Sequence, residues 1–273
     1  MKYPIALMCR VYGVTRAGYY AWLQRGPSTR ELENVILAEQ IQQVHKASRG
    51  TYGSPRVYQA LKQQDVPVSE NRVARLMSRL GLKGRWATLR YTSPNMKKFF
   101  GNLPNLQHEH PAKEPNQVWV ADITYLKVGA IYRYLAVVMD RCSRRIIGWA
   151  FGQQRNVKLT LRALNHAVTK RRPAPGLIFH TDRGIEYAAN AFRDRLKQLG
   201  IIQSMNRPGK VTDNIFIESY FHSMKADVIH GNKFNEDGQM VSVLKSYIPF
   251  YNHSRIHSSL NYVSPATYEN RLA

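Results

Sequence analysis

Residues 177–184, LIFHTDRG, place a short apolar run directly before an aspartate, and this order decides the fold. The apolar run predicts a short buried strand that delivers Asp182 at its carboxyl end. In open α/β sheets, ligands and catalytic groups gather at the carboxyl ends of the strands. Gly184 follows and predicts a tight turn after the strand. Asp182 is therefore the first candidate site residue.

A second candidate carboxylate, Glu218, lies in a segment with helical periodicity. Its apolar residues recur at steps of four, three and four and predict one buried stripe, formed by Ile217, Phe221, Met224 and Val228. A polar row runs beside that stripe and comprises Asn214, Glu218, His222 and Lys225. Thr212 or Asp213 is predicted to cap the start of this helix with its side-chain oxygen. The helix therefore holds Glu218 at the edge of the core.

A third carboxylate, Asp122, sits inside residues 117–125, QVWVADITY, a β-branched and aromatic run with strand character. Three carboxylates in one pocket repel each other, which raises some of their pKa values, and divalent cations relieve this repulsion. Hard oxygen ligands select Mg²⁺ or Mn²⁺. Two such ions, ~3.5–4 Å apart, can stabilise the attacking and the leaving oxygen of an in-line phosphoryl displacement. The sequence thus predicts a two-ion site at Asp122, Asp182 and Glu218.

The charge balance points to a polyanionic partner. Forty Lys and Arg residues stand against 18 Asp and Glu, for a net charge of +22 and a pI of about 10.2. Such an excess favours nucleic acid over a merely soluble basic surface. Two cysteines far apart in sequence fit a reducing cytosol. Because no apolar run approaches ~18 residues, no membrane span is expected, and we expect a cytoplasmic, nucleoid-associated bacterial protein.

The amino-terminal part is predicted to be an all-α DNA-binding region. Ser69 can cap a helix that follows a turn, and three arginines share one face of this helix, namely Arg72, Arg75 and Arg79. This is the arrangement of a recognition helix, with solvated arginines as the alternative. Residues 1–25 show a similar helix-break-helix rhythm, equally compatible with a plain helical hairpin. Four prolines between residues 91 and 115 mark a linker.

These signals predict three parts. A helix-turn-helix region spans residues 1–90, a linker spans 91–115, and an α/β unit with a carboxy-terminal helical extension spans 116–273. In the α/β unit, three meander strands, a helix, the Asp182 strand, a helix, a strand and the Glu218 helix follow in that order. This is the element order of an RNase H-like core, a mixed five-stranded sheet with flanking helices.

The motifs resemble those of a known family. Thirty-five residues separate Asp182 from Glu218, and Lys225 follows seven places after Glu218. With HTDRG at 180–184, Asp-Asn at 213–214 and YNHSRIHSSL at 251–260, the chain resembles second-frame insertion-sequence transposases of the retroviral-integrase superfamily, the group with the D,D-35-E spacing. One departure is Ile215, which is bulkier than the small residue expected there.

The resemblance implies a DNA transposase that cleaves at element ends and joins the 3′-OH to another strand through a circular intermediate. It implies DNA contacts by Lys225, at a terminal phosphate, and by Arg183, Asn214 and Arg255. His180 and Gly184 are expected beside the catalytic carboxylates. The expected partners are element-end and target DNA, further copies of this chain when two ends are paired, and a first-frame protein, either separate or joined to this chain as a frameshift fusion.

Three competing interpretations use other chemistry. His108-Glu109-His110 resembles the histidine pair of rolling-circle nucleases but lacks an apolar residue between the histidines. Arg255 and His257 with Tyr262 resemble tyrosine recombinases, although Leu260 stands where that motif needs arginine. A non-enzymatic DNA-binding regulator with a degenerate core is the third, and the complete acidic triad argues against it.

Overall fold

The computed structural model describes residues 4–85, 103–107, 110–207 and 211–272, with the backbone alone at 211 and 212. Five strands form one sheet in the order β3-β2-β1-β4-β5. They are β1 (Val118–Val128), β2 (Ile131–Asp140), β3 (Ile146–Gly152), β4 (Ile178–Thr181) and β5 (Ile202–Met205). Strands β1 to β3 pair antiparallel, whereas β4 pairs parallel with both β1 and β5. The predicted mixed five-stranded sheet is confirmed.

Eleven α-helices are present in the described residues. They are α1 (Ile5–Val11), α2 (Arg16–Gln24), α3 (Thr29–Ala47), α4 (Ser54–Lys62), α5 (Glu70–Arg79), α6 (Val157–Arg171), α7 (Ile185–Ala188), α8 (Asn190–Gln198), α9 (Ile215–Met224), α10 (Asp237–His253) and α11 (Pro265–Asn270). Within these same ranges, none is long and apolar enough to cross a membrane.

Both faces of the sheet are covered, because side chains alternate along β1. Trp119 and Ala121 pack into a core with residues of α6 and α8. Val120 and Leu126 pack on the opposite face with residues of α9 and α10. Asp122 has the same parity as Val120 and therefore belongs to the face that α9 covers. The alternation thus decides which helix can share a site with Asp122.

The helix predicted between the Asp182 strand and the next strand is present as α8, and a short additional helix, α7, precedes it. Two other local predictions need correction. The Glu218 helix continues past Met224 as a π-helical turn, Lys225–Ile229. Neither Thr212 nor Asp213 caps α9: the N-cap is Asn214, which makes no side-chain cap hydrogen bond.

Three of the amino-terminal helices, α2, α3 and α5, begin at residues whose side chains cap them. Thr15 accepts a hydrogen bond from the backbone of Gly18, and Ser69 accepts one from Arg72. Ser28 and Glu31 form a capping box at the start of α3. Such caps satisfy backbone N–H groups that the first turn of a helix leaves free. The predicted break and restart near Gly13, whose φ is +67°, is present.

Helices α3 to α5 form a small core of their own, and the carboxy-terminal segment contributes to it. Ile256 is buried in this core and Tyr262 packs against it. The hydroxyl of Tyr52 accepts from the backbone N–H of Ile256 at 2.8 Å, and Gln63 donates to the carbonyl of Tyr262 at 2.8 Å. The carboxy-terminal segment therefore packs against the amino-terminal helical region. The predicted boundaries at 90 and 115 fall in a stretch that lies largely outside the described residues.

Candidate active site

The two aspartates lie side by side at the junction of two parallel strands. Ala121 and Thr181 are register partners in β1 and β4, so Asp122 and Asp182 are the next positions on neighbouring strands. Strands in a sheet run about 4.8 Å apart. The backbone N–H of Ile123 donates to Asp122 Oδ1 at 2.6 Å, and that of Gly184 donates to Asp182 Oδ1 at 3.0 Å. Each carboxylate is thereby fixed by local backbone.

Glu218 approaches from the first turn of α9. Ile217 and Phe221 bury one side of this helix in the core that contains Val120. The side-chain amide of Asn214, at the start of α9, donates to the carbonyl oxygen of Ala121 at 3.2 Å. This bond ties the beginning of the helix to the strand residue directly before Asp122. The helix therefore presents Glu218 on the same side of the sheet as Asp122.

The electrostatics show that the three carboxylates share one environment. The pKa of Asp122 lies well above its usual value because the group is buried and because the Asp182 and Glu218 charges repel it. Burial raises the pKa of Asp182 as well. The pKa of Glu218 is raised by burial and then by the charge of Asp182. Ionisation of Asp182 therefore makes ionisation of Asp122 and of Glu218 harder, and an ionised Glu218 has the same effect on Asp122.

In the parts of the chain that the structure describes, no three His, Cys, Asp or Glu side chains approach closely enough to hold a metal ion. The donor set nevertheless fits one chemically. Carboxylate oxygens are the ligands preferred by hard divalent cations. Carboxylates whose charges repel one another are also a site that a cation would stabilise.

A fourth carboxylate and an arginine complete the cluster, and sequence reasoning missed both. Arg155, in the loop between β3 and α6, pairs with Glu186 of α7 at 2.8 Å between Nε and Oε1. A Cβ added at Gly184 would lie 2.8 Å from Glu186 Oε2, 3.0 Å from Asp182 Oδ1 and 3.4 Å from Arg155 Nη2. Gly184 has a φ of −68°, so close approach rather than a left-handed turn requires glycine there.

Family models match nearly all of this architecture. The integrase core domain matches residues 112–211, a second integrase core model matches 218–272, and an HTH-like domain matches 31–88. The transposase InsF for insertion sequence IS3A of Escherichia coli strain K12 is 35% identical, covering 99% of this chain and 95% of its own length. The transposase for insertion sequence element IS904 of Lactococcus lactis is 34% identical, covering 90% and 98%.

The chain belongs to the insertion-sequence transposases with an integrase core. A further relative of the same length class, the IS600 insertion element 31 kDa protein of Shigella sonnei, is 36% identical over 97% of this chain and 98% of that protein. Membership supports a role in DNA transposition, and the family resemblance and RNase H-like fold expected from the motifs are confirmed. Among solved structures, the magnesium-bound HTLV-2 integrase core has a TM-score of 0.41 at 16% identity, covering 53% of this chain and 92% of that chain, too distant to bear on function.

Lys225 of this transposase lies next to the carboxylates. Its ammonium group stands 4.6 Å from the ring centre of Tyr125 in β1. Burial lowers the pKa of Lys225, while the charge of Asp122 acts in the opposite direction. Lys225 is thus a half-buried cation at the start of the π-helical turn that follows the Glu218 helix, and its contact with a DNA phosphate stays a prediction.

His180 is part of a buried polar network. Its Nδ1 lies 2.8 Å from Ser204 Oγ on the neighbouring strand, and its Nε2 lies 2.7 Å from Asn206 Oδ1. Gln107 approaches the same Nε2 at 3.0 Å. The histidine is fully buried. It therefore joins β4 to β5 and to residues 103–107, and so supports the strand end that carries Asp182.

Two side chains expected to contact DNA, those of Asn214 and Arg183, instead make hydrogen bonds within the protein. Asn214 is 1% exposed and donates to the carbonyl of Ala121. Arg183 is half-buried and its Nε donates to the carbonyl of Asn206 at 2.6 Å. In this structure both side chains hold the loop around the carboxylates together, and a direct DNA contact by Asn214 would require it to leave this position.

Arg255 is the clearest correction among the expected DNA contacts. Its side chain is 3% exposed, and its Nε donates to Asp227 Oδ2 at 2.7 Å. The hydroxyl of Tyr247 donates to the same oxygen at 2.8 Å. The expectation of a DNA contact by Arg255 is therefore wrong for this structure, because the motif around it serves packing between α10 and the π-helical turn.

The arginines of α5 divide into two kinds. Arg75 and Arg79 are exposed. Arg72 instead pairs with Glu33 of α3 at 2.9 Å, and its Nε donates to Asn34 Oδ1 at 2.9 Å. The face predicted for DNA thus offers two of its three guanidinium groups to solvent, while the third fastens α5 to α3.

The residues that the tyrosine-recombinase interpretation requires have structural roles instead. Arg255 is paired with Asp227, and Tyr262 packs against the α3–α5 core. The pKa of His257 is lowered to about 3 by burial and by nearby arginines, so its imidazole is neutral. For the nuclease interpretation, His108 and Glu109 lie outside the described residues.

Proposed function

We propose that this transposase cleaves DNA at the ends of its element and joins the freed 3′-OH to another strand. The observation that carries the proposal is that Asp122 and Asp182 follow each other across two paired strands, and that the charges of Asp182 and Glu218 raise the pKa of Asp122. Mutual repulsion of this kind is expected at a site built for divalent cations rather than at a structural one.

We propose that these three residues hold two Mg²⁺ or Mn²⁺ ions. Such ions, when bound, supply Lewis-acid stabilisation of the oxygens that gain negative charge during phosphoryl transfer. The chain itself positions the carboxylates and the DNA end. The parallel strands fix the two aspartates, α9 brings Glu218 beside them, and Lys225 binds a phosphate at the DNA end. No covalent bond between protein and DNA is required.

The helical region binds the flanking duplex in this proposal. Arg75 and Arg79 contact DNA from the exposed side of α5, which acts as a recognition helix. Two copies of the chain pair two element ends, and a first-frame protein, separate or fused by frameshifting, assists them. The net charge of +22 supplies the long-range attraction to the DNA backbone.

The decisive experiment compares Glu218→Gln with the unchanged chain on a duplex that carries the end of its element. We expect Glu218→Gln to bind the duplex normally and to lose Mg²⁺-dependent cleavage and joining, because the amide cannot replace a carboxylate ligand. Glu39→Gln, an exposed position on α3, is the matched control and should remain active. Cleavage that survives in Glu218→Gln would refute the metal assignment. Binding without cleavage by the unchanged chain would favour the regulator, and a covalent protein–DNA adduct would favour a tyrosine mechanism.

A further inference from the structure

Arg155 and Glu186 form an ion pair beside the carboxylates. The reaction chemistry proposed above does not use this pair. The guanidinium meets the carboxylate through two contacts, 2.8 Å from Nε to Oε1 and 3.4 Å from Nη2 to Oε2. The Glu186 side chain is 4% exposed and that of Arg155 is 43% exposed. A buried carboxylate thus holds a half-exposed guanidinium in one orientation.

The arrangement leaves part of the guanidinium available. Arg155 has five N–H donors in a planar fork. Glu186 occupies its Nε and Nη2. Among the residues that the structure describes, no acceptor is hydrogen-bonded to Nη1. A guanidinium group that is bound along one edge and free along the other suits a planar or tetrahedral oxyanion. Arginine recognises such an anion better than lysine does.

The location of this group matters because a DNA phosphate must approach the carboxylates to react. Nη2 of Arg155 and Oδ1 of Asp182 both lie within 3.4 Å of one point, the place where a Cβ of Gly184 would be. The positive charge of Arg155 acts on Asp122 and on Asp182, lowering the pKa of each against the effect of burial. The guanidinium therefore offsets the repulsion that a phosphate would meet there.

We infer that Arg155 binds a phosphate oxygen of the DNA strand lying at the carboxylates, and that Glu186 is its positioning residue. The inference rests on the proposed function for the identity of the ligand, a DNA phosphodiester. It assigns roles to Arg155, in the loop after β3, and to Glu186, in α7 just after β4. Gly184 is small because these side chains converge on it.

A purely electrostatic role for Arg155 makes different predictions. If Arg155 served only to neutralise the carboxylates, its removal would tighten Mn²⁺ binding, and Arg155→Lys, which keeps the charge, would bind metal-free DNA as tightly as the unchanged chain does. If it binds phosphate, its removal weakens DNA binding even without metal and removes about one counterion from the salt dependence.

The test measures binding of a fluorescent duplex carrying the element end, in EDTA, between about 50 and 200 mM KCl. For Arg155→Ala we expect weakening on the order of tenfold, as for loss of a hydrogen bond to a charged group, and a salt slope smaller by about 1. Arg155→Lys should restore the slope but only part of the affinity. Glu186→Gln should weaken binding less than Arg155→Ala does, with the slope unchanged.

Arg193→Ala, an exposed arginine on α8, is the control and should bind like the unchanged chain. Unaltered affinity and slope in Arg155→Ala, or tighter Mn²⁺ binding as its sole effect, overturns the inference. If Arg155→Ala does not fold by circular dichroism, Arg155→Lys and Glu186→Gln decide, and normal affinity in both is the contrary result. These outcomes are independent of Glu218→Gln, whose retained cleavage would refute the proposed function while leaving metal-free binding by Arg155 untouched.

Discussion

Two groups of acidic residues in this molecule are built in opposite ways. Around Asp122, carboxylates face other carboxylates, and burial together with their mutual repulsion raises the pKa values. Around Asp227, the carboxylate meets the guanidinium of Arg255 and the hydroxyl of Tyr247, both within 2.8 Å. The first group is electrostatically unfavourable in isolation. In the second, which we call the satisfied group, the Asp227 carboxylate is paired, while Nη1 of Arg255 has no hydrogen-bond partner among the described residues.

The two groups are joined by one continuous helical segment. Glu218 lies in α9, and Asp227 lies in the π-helical turn that follows it, two residues after Lys225. The satisfied group fixes the end of this segment against α10. The beginning of the segment, which carries Glu218, is thereby kept near the two aspartates in spite of the repulsion between the carboxylates. Strain at a functional site persists only when surrounding structure over-determines it. The contrast therefore separates residues that position the site from residues that are proposed to bind the cations.

The largest effect is expected on breaking the satisfied group. Arg255→Ala leaves Asp227 buried without its cation, so we expect the free energy of unfolding to fall by about 3–5 kcal/mol. Urea denaturation followed by circular dichroism measures this change. Arg75→Ala, at an exposed position, is the control and should stay within about 0.5 kcal/mol of the unchanged chain. An Arg255→Ala variant of normal stability but poor DNA binding would restore Arg255 as a DNA contact.

The repelling group should respond to cations instead. Added Mn²⁺ or Mg²⁺ that binds the folded chain at a concentration 100 times its Kd should stabilise it by roughly 2.7 kcal/mol. Asp182→Asn removes a ligand and should abolish most of this gain, whereas Asp227→Asn should keep it despite lower basal stability. Thermal denaturation with and without the cation, each referenced to EDTA, gives the comparison. Equal stabilisation of the unchanged chain and Asp182→Asn would place the cation elsewhere.

In EDTA, removing a repelling charge should stabilise the fold. Asp122→Asn keeps an oxygen that can accept from Ile123 and loses the buried charge, so we expect a gain of about 1 kcal/mol near neutral pH, together with loss of cleavage. The folded-state pKa of Asp122 is raised above its ordinary value of 3.8. The folded state therefore binds more protons than the unfolded state once the pH exceeds that value, and the unchanged chain loses stability as the pH rises through the folded-state pKa.

The gain from Asp122→Asn should accordingly be absent near pH 3.8, grow above it, and level off once the carboxylate is ionised in both states. Parallel urea titrations at several pH values measure this difference. A gain that shrinks with rising pH would mean that the Asp122 carboxylate is stabilised rather than repelled.

The smallest effects concern α5. Arg75→Ala should weaken binding to DNA and lower the salt slope by about 1, with no change in stability. Arg72→Ala should lower the free energy of unfolding by up to about 1 kcal/mol, because Arg72 pairs with the largely exposed Glu33. Fluorescence anisotropy over a range of KCl concentrations and urea denaturation separate the two. Equal loss of DNA binding in both variants would show that the Arg72 pair opens on DNA.

Local patterns in the sequence were sufficient for the sheet and for the carboxylates. The apolar run before Asp182 and the β-branched and aromatic run around Asp122 are short-range signals, and each predicted a strand at its aspartate. Only the structure shows that these two strands are neighbours. The sequence could not show that Arg255 meets Asp227, or that Arg155 meets Glu186, because residues 28 and 31 positions apart are brought together by tertiary packing alone. Gly184 was correctly singled out, but only the structure shows that crowding, not φ, is the reason.

The central claim is that Asp122, Asp182 and Glu218 together bind divalent cations. Crystals grown with Mn²⁺ and a bound DNA end test it directly through the anomalous scattering of manganese. The account predicts anomalous peaks within about 2.0–2.3 Å of carboxylate oxygens from all three residues. Manganese bound at other residues, or none at these carboxylates under saturating Mn²⁺, would contradict it.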